Sequence, residues 1–209
     1  MNAKSNEIPA FTPLLDAVER LLGSLHGLIF VADALHTQVG HANEIAARGA
    51  HLLIPAKGNQ PRLFAQLKTL PWAQVPIGHQ TRDAGHGRRE TRTVKAIALH
   101  TPGRIGFPHA QQAIRISRTR TAISSGKTTR ETAYLTISLP SSDAQPAEIP
   151  ATTVFSQRSM RRFGASHRRA TPKGLPSSSV QHRFQDPTYR TSFTLRAHYV
   201  TLIAAQDPY

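Results

Sequence analysis

Leu28-Ile29-Phe30-Val31-Ala32-Asp33-Ala34-Leu35-His36-Thr37-Gln38 is the stretch that decides the fold. Its first five residues are apolar, two are β-branched and one is aromatic, the composition of a short strand buried on both faces. The run stops at one carboxylate, Asp33. In open α/β sheets, ligands gather beyond the carboxyl ends of strands, where a rigid element can hold a carboxylate against a metal ion. The competing reading is local: Asp at a strand-to-helix turn is a common N-cap. Periodicity alone leaves both open.

Working outward, Phe11–Leu22 reads as a helix, with Thr12 able to cap it and Pro13 at its first helical position. Leu14, Leu15, Val18, Leu21 and Leu22 fall on one face, and Gly23 ends the helix. Thr37–Arg48 reads as a second helix, with Val39, Ala42, Ile45 and Ala46 inward and Gly49 at its end. Leu52-Leu53-Ile54 then makes a short buried strand, which closes a compact βαβ unit with parallel strands. Lys57-Gly58-Asn59-Gln60 is a polar turn, and Asn59 can cap a third helix over Pro61–Leu70, closed by Pro71.

Beyond Trp72 the pattern turns to β. Arg92–Leu99, Ala113–Arg118 and Ala133–Ser138 are β-branched or alternating, separated by turn-rich segments. Ile114 and Ile116 alternate with Arg115 and Ser117, as in a half-buried strand with a basic face. Alternation also puts Arg88, Glu90 and Arg92 on one face of a strand. Glu90 can be read as a second metal-binding acid, or as the ion-pair partner that orders two arginines.

The chain has 209 residues, enough for a sizeable core, although aromatics make up only 6%. Lys and Arg total 26 against 12 acids, a formal charge of +14 that points to a polyanionic partner. Part of that excess sits in residues 151–209, which carry nine Lys or Arg and only two acids, Asp186 and Asp207. There is no cysteine, which excludes disulfides and cysteine-ligated zinc and fits a reducing compartment such as the cytoplasm. No apolar run reaches membrane-spanning length, so no membrane association is expected.

Five segments occurring in order carry a resemblance. They are Lys4-Ser5-Asn6-Glu7-Ile8-Pro9, Ala32–Gln38, Lys57–Gln60, Gly85-His86-Gly87-Arg88-Arg89-Glu90-Thr91-Arg92, and Glu131-Thr132-Ala133-Tyr134 with Ser138-Leu139-Pro140. From Lys4 to about Glu148 the chain resembles insertion-sequence transposases of the ISAs-type branch, within the DDE superfamily with its RNase-H-like fold. The resemblance implies DNA transposition by metal-dependent strand cleavage and transfer, with three carboxylates holding Mg2+. Asp33 matches the second of those acids. Glu90 falls in a β-rich insertion that contacts DNA, ahead of the place expected for the third.

The expected architecture is therefore α/β, a partial RNase-H-like fold with a β-rich insertion and a poorly ordered basic C-terminal tail. Residues 1–72 form the partial catalytic core, 73–150 the insertion and 151–209 the tail. The catalytic candidates are Asp33, also the metal ligand, and Glu90. The DNA-binding candidates are Lys57, Asn59, Gln60, His86, Arg88, Arg92 and Arg115, with Arg118, Arg120 and Lys127 also within the basic insertion. The expected cofactor is Mg2+. Expected partners are double-stranded DNA at transposon ends, and a second copy or an intact transposase.

The motif expected after Ser138-Leu139-Pro140 is missing, and the strand carrying the first acid has no place ahead of Lys4. The expectation is a truncated, inactive copy, with the tail after residue 150 either out of frame or a divergent disordered segment. A non-catalytic basic protein occupying transposon ends is the alternative. A small nuclease using Asp33, Glu90 and His36 or His86 is a third reading, but the 11 histidines show no His-x-x-x-His spacing.

Overall fold

The computed structural model describes residues 8–99 and 105–143 and the backbone of three strands at 180–183, 191–196 and 199–204. The first four residues of the Lys4–Pro9 motif, Glu148 and most of the expected tail lie outside the described residues. The chain divides into two compact units, one of residues 1–54 with 163–209 and one of residues 55–162.

In the first unit, helix α1 spans Phe11–Leu22, strand β1 spans Ile29–Val31, helix α2 spans Val39–Ala47 and strand β2 begins at His51. Strand β2 runs to Ala56, across the division. The βαβ reading holds: β1 and β2 are parallel, with Phe30 opposite Leu52. All three residues of β1 are buried, as a strand covered on both faces requires. The other neighbour of β1 is unanticipated. Strand β9 (Tyr199–Ala204) lies parallel to β1, and β8 (Thr191–Arg196) and β7 (Val180–Arg183) follow it as an antiparallel meander.

Several local details differ from expectation. Helix α1 starts at Phe11 with Ala10 at its N-cap, and Thr12 does not cap it. The Thr12 hydroxyl instead donates to Glu44 Oε2 of α2 at 2.8 Å. The buried stripe is Phe11, Leu14, Leu15 and Val18, while Leu21 and Leu22 in the last turn are exposed. Gly23 ends the helix at φ 81°, the left-handed C-cap. Helix α2 is shorter than expected, since a 3-10 turn over Ala34–His36 takes up the start of the segment. That shift turns Val39 outward and places His41, Ala42 and Ile45 inward. Arg48, just past α2, bonds Asp16 and Glu19 of α1 and Glu44 of its own helix at 2.6, 2.9 and 2.8 Å.

In the second unit, helix α3 spans Pro61–Lys68, and its N-cap is Gln60 rather than Asn59, with no side-chain capping bond. Four antiparallel strands follow in sequential order: β3 (His79–Gly85), β4 (Arg88–Ala98), β5 (Gln112–Ala122) and β6 (Thr128–Ile137). The β3–β4 hairpin turns on His86 and Gly87, both at positive φ (51° and 70°), as a two-residue hairpin with the sheet's twist demands. Leu63 and Leu67 of α3 pack with Leu70, Trp72, Val75, Leu99, Ile105 and Ala113, and Tyr134 of β6 lies against that cluster.

Candidate functional site

Asp33 leaves the carboxyl end of β1, half-buried and with extended backbone. Its Oδ1 accepts the Leu35 N–H at 2.8 Å, so the carboxylate caps the 3-10 turn. The local reading of Asp33 is therefore realised in the fold. Beside it lies a buried aromatic cluster. The Phe11 ring stacks on His41 with centroids 3.8 Å apart, and His36 sits 5.2 Å from Phe11 and 5.3 Å from His41. Burial pushes the His36 imidazole down to about 4; Asp33 pulls it up, and His41 lowers it further. Burial likewise lowers His41, against its bond to the Ile8 backbone. Both rings are thus neutral at pH 7, and neither Nδ1 has a hydrogen-bond partner among the described residues.

Mg2+ demands near-octahedral oxygen coordination, and a two-metal site needs several carboxylates converging. Among the described residues, no group of three or more His, Cys, Asp or Glu side chains is placed to hold a metal ion. The described donors around Asp33 therefore do not fit a magnesium pair, and no catalytic step is derived through one.

Glu90 lies in the second unit, on β4, in a different kind of environment. It is buried, with a relative exposure of 7%. Arg118 Nη2 lies 3.1 Å and Arg120 Nε 2.9 Å from its Oε2, and Arg92 pairs with its Oε1. Arg88 stands at 4.0 Å. Register explains the convergence. Glu90 is directly opposite Arg120, and Arg92 opposite Arg118, so two residues from each strand share one face. Glu131 of β6, opposite Arg118, adds contacts to Arg118 at 3.7 Å and to Arg120 at 3.8 Å. Arg118 is itself buried at 4% exposure.

The remaining candidates separate. Lys57 and Asn59 are exposed in the turn after β2, with Gln60 half-buried. His86 is exposed at the tip of the β3–β4 hairpin, next to exposed Arg88. Arg115 points to the opposite face from Glu90, its guanidinium carbon 5.4 Å above the Trp72 ring. Lys95, opposite Arg115, donates to the Trp72 carbonyl at 2.8 Å. Arg92 and Arg115 are thus each committed to an intramolecular partner. The roles of Arg118 and Arg120 in holding Glu90 needed the β4–β5 register, which no local sequence signal sets. The same-strand row Arg88, Glu90, Arg92 was readable from alternation.

A family model described as a transposase DDE domain matches residues 1–170, beyond the region around Glu148 where the sequence resemblance ends. No curated protein matches the chain. Among the described residues no helix is long and apolar enough to cross a membrane.

Proposed function

The chain belongs to the transposase DDE-domain family, whose members act in DNA transposition, bind DNA and generally use divalent metal ions, and from that premise we propose a specific part for it. It engages the double-stranded DNA of transposon ends without cleaving it as an isolated polypeptide. The observation that carries this reading is the commitment of Glu90, which is enclosed by arginines whose charge already neutralises it. A carboxylate that must ligate a metal cannot also be the counter-ion of a buried guanidinium cluster without releasing it.

In this proposal Lys57, Asn59, His86 and Arg88 meet phosphates, where contacts set register rather than sequence preference. Arg92 and Arg115 position their neighbours, Gln60 starts α3, and Asp33 is the residue that would serve a metal if a second copy or an intact transposase supplied the other acids. Such an assembly would act in the cytoplasm, where the absence of cysteine carries no penalty.

The test uses the full chain with duplex DNA carrying the ends of its own element. Binding that weakens steeply with salt, without Mg2+-dependent nicking, supports the proposal. Nicking that is abolished in Asp33→Asn overturns it.

A further inference from the structure

The four-stranded sheet of the second unit segregates its charges by face. Asp83, Glu90 and Glu131 stand in register with one another's strands and share one face. On the other face, β3 presents Gln80, Arg82 and Ala84. In register with them are Arg89, Thr91 and Thr93 of β4, Thr121, Thr119 and Ser117 of β5, and Thr128, Arg130 and Thr132 of β6. Those described positions include no acid. Trp72 and the α3 cluster cover one end of this second face, at Tyr134, Arg115 and Lys95. Beyond that end Arg82, Arg89 and Arg130 are all exposed.

The geometry points to this acid-free face as a docking surface for the phosphate backbone of double-stranded DNA, with Arg82, Arg89 and Arg130 as the anchoring cations. The inference rests on the DNA-binding reading above and assigns it to three arginines outside the candidates read from the sequence. Arg82, Thr91, Thr119 and Arg130 form one straight cross-strand row. Three inter-strand steps separate its two arginines, roughly 14 Å. Arg89 stands one strand over from Arg82 and two residues along from Thr91, which puts it roughly 8 Å from Arg82. Cations that far apart reach different phosphates instead of chelating one.

Between Arg82 and Arg130 the row holds Thr91 and Thr119, and in the row of Arg89 the hydroxyls of Thr121 and Thr128 meet at 2.9 Å. Hydroxyls donate to phosphate oxygens and exclude no backbone by bulk, which is the usual companion set to Arg at a duplex. The acids that would repel a polyanion face the other way, where arginines pair with Glu90 and Glu131. Charge complementarity, not an apolar seat, is what selects DNA over a protein partner here.

The test compares the full wild-type chain with R82Q/R89Q/R130Q and R82K/R89K/R130K on duplex DNA across a salt series. Each phosphate contact contributes about 0.9 to the slope of log K against log salt. The glutamine variant is expected to lose about 3 from the slope and on the order of 100-fold in affinity near 0.1 M salt. The lysine variant is expected to keep most of both.

A glutamine variant with an unchanged slope overturns the face assignment while leaving the DNA reading standing. A wild-type chain that shows no salt-dependent binding overturns the DNA reading itself, and this inference with it. Arginine-selective modification of the wild type keeps the inference testable if the triple variants fail to fold. DNA should shield Arg82, Arg89 and Arg130 from modification. Equal reactivity with and without DNA, or equal shielding by polyglutamate, overturns the proposal.

Discussion

Replacing Glu90 with Gln removes one negative charge from among four arginines and leaves the shape of the site nearly intact. The cost follows from which arginines can regain water. Arg88 and Arg120 have side-chain exposures of 44% and 30%, so solvent screens much of their loss. Arg118 at 4% and Arg92 at 22% cannot recover hydration in the same way. Breaking a buried pair and stranding the partner costs about 3–5 kcal/mol; the exposed half of this cluster places the expectation at about 3 kcal/mol. For a urea m-value of about 2 kcal/mol per M, the midpoint of the second unit falls by roughly 1.5 M.

Trp72 is the only tryptophan in the chain and lies in the core of that unit, so its emission reports the transition directly. Arg118→Met should cost less, about 1 kcal/mol, because Glu90 keeps three other arginines. Combining the two changes should recover part of the loss, since neither buried charge is then left without the other. If Glu90→Gln leaves the midpoint within about 0.3 M of wild type, Glu90 is not the organising counter-ion, and its reading as a ligand awaiting a metal regains the ground.

Lowering the pH should destabilise the first unit through His36. Its folded pKa is depressed to about 4, so the unfolded chain takes up a proton below about 6.5 while the folded ring stays neutral. Stability is fully present above pH 6.5 and falls by about 1.4 kcal/mol per unit down to about pH 4, a slope that thermal melts followed by circular dichroism should register and His36→Phe should flatten. Asp33→Ala should cost about 1 kcal/mol by removing the acceptor of the Leu35 amide, whereas Asp33→Asn keeps it, a contrast readable in the exchange rate of that amide. Gly49→Ala should lower the melting temperature markedly. Its φ of +69° is strained for alanine, and the new Cβ would stand 2.8 Å from His26 Cδ2, so at least about 1 kcal/mol is lost.

The legible part of the fold was the part built on apolar periodicity. The strand at Ile29–Val31, both flanking helices and the parallel partner at Leu52–Ile54 all announce themselves by which residues avoid water. Strand β3 announces nothing: His79–Gly85 has a single apolar side chain, Ala84, and is held by its pairing to β4 instead of by burial. The strands β7–β9 sit in a stretch that composition marked as a basic tail. For Asp33 both candidate roles were visible beforehand, and the capping role is the one with a bond to show for it. For Glu90 the same-strand arginines were visible, but half its shell comes from β5, at a register fixed by the whole β4–β5 pairing.

That difference bears on how a charge of +14 should be interpreted. Summed over the chain, the arginines form one undifferentiated pool, and any of them seems available to a polyanion. Register divides the pool. Arg92, Arg118 and Arg120 face Glu90, and Arg115 lies over Trp72, so a phosphate that recruited one of them would have to replace an interaction already made. Arg82, Arg89 and Arg130 stand exposed on a face whose described positions hold no acid, so nothing on that face competes with phosphate for them. Net charge predicts the class of partner; strand parity, a property with a period of two residues, predicts where the partner lands.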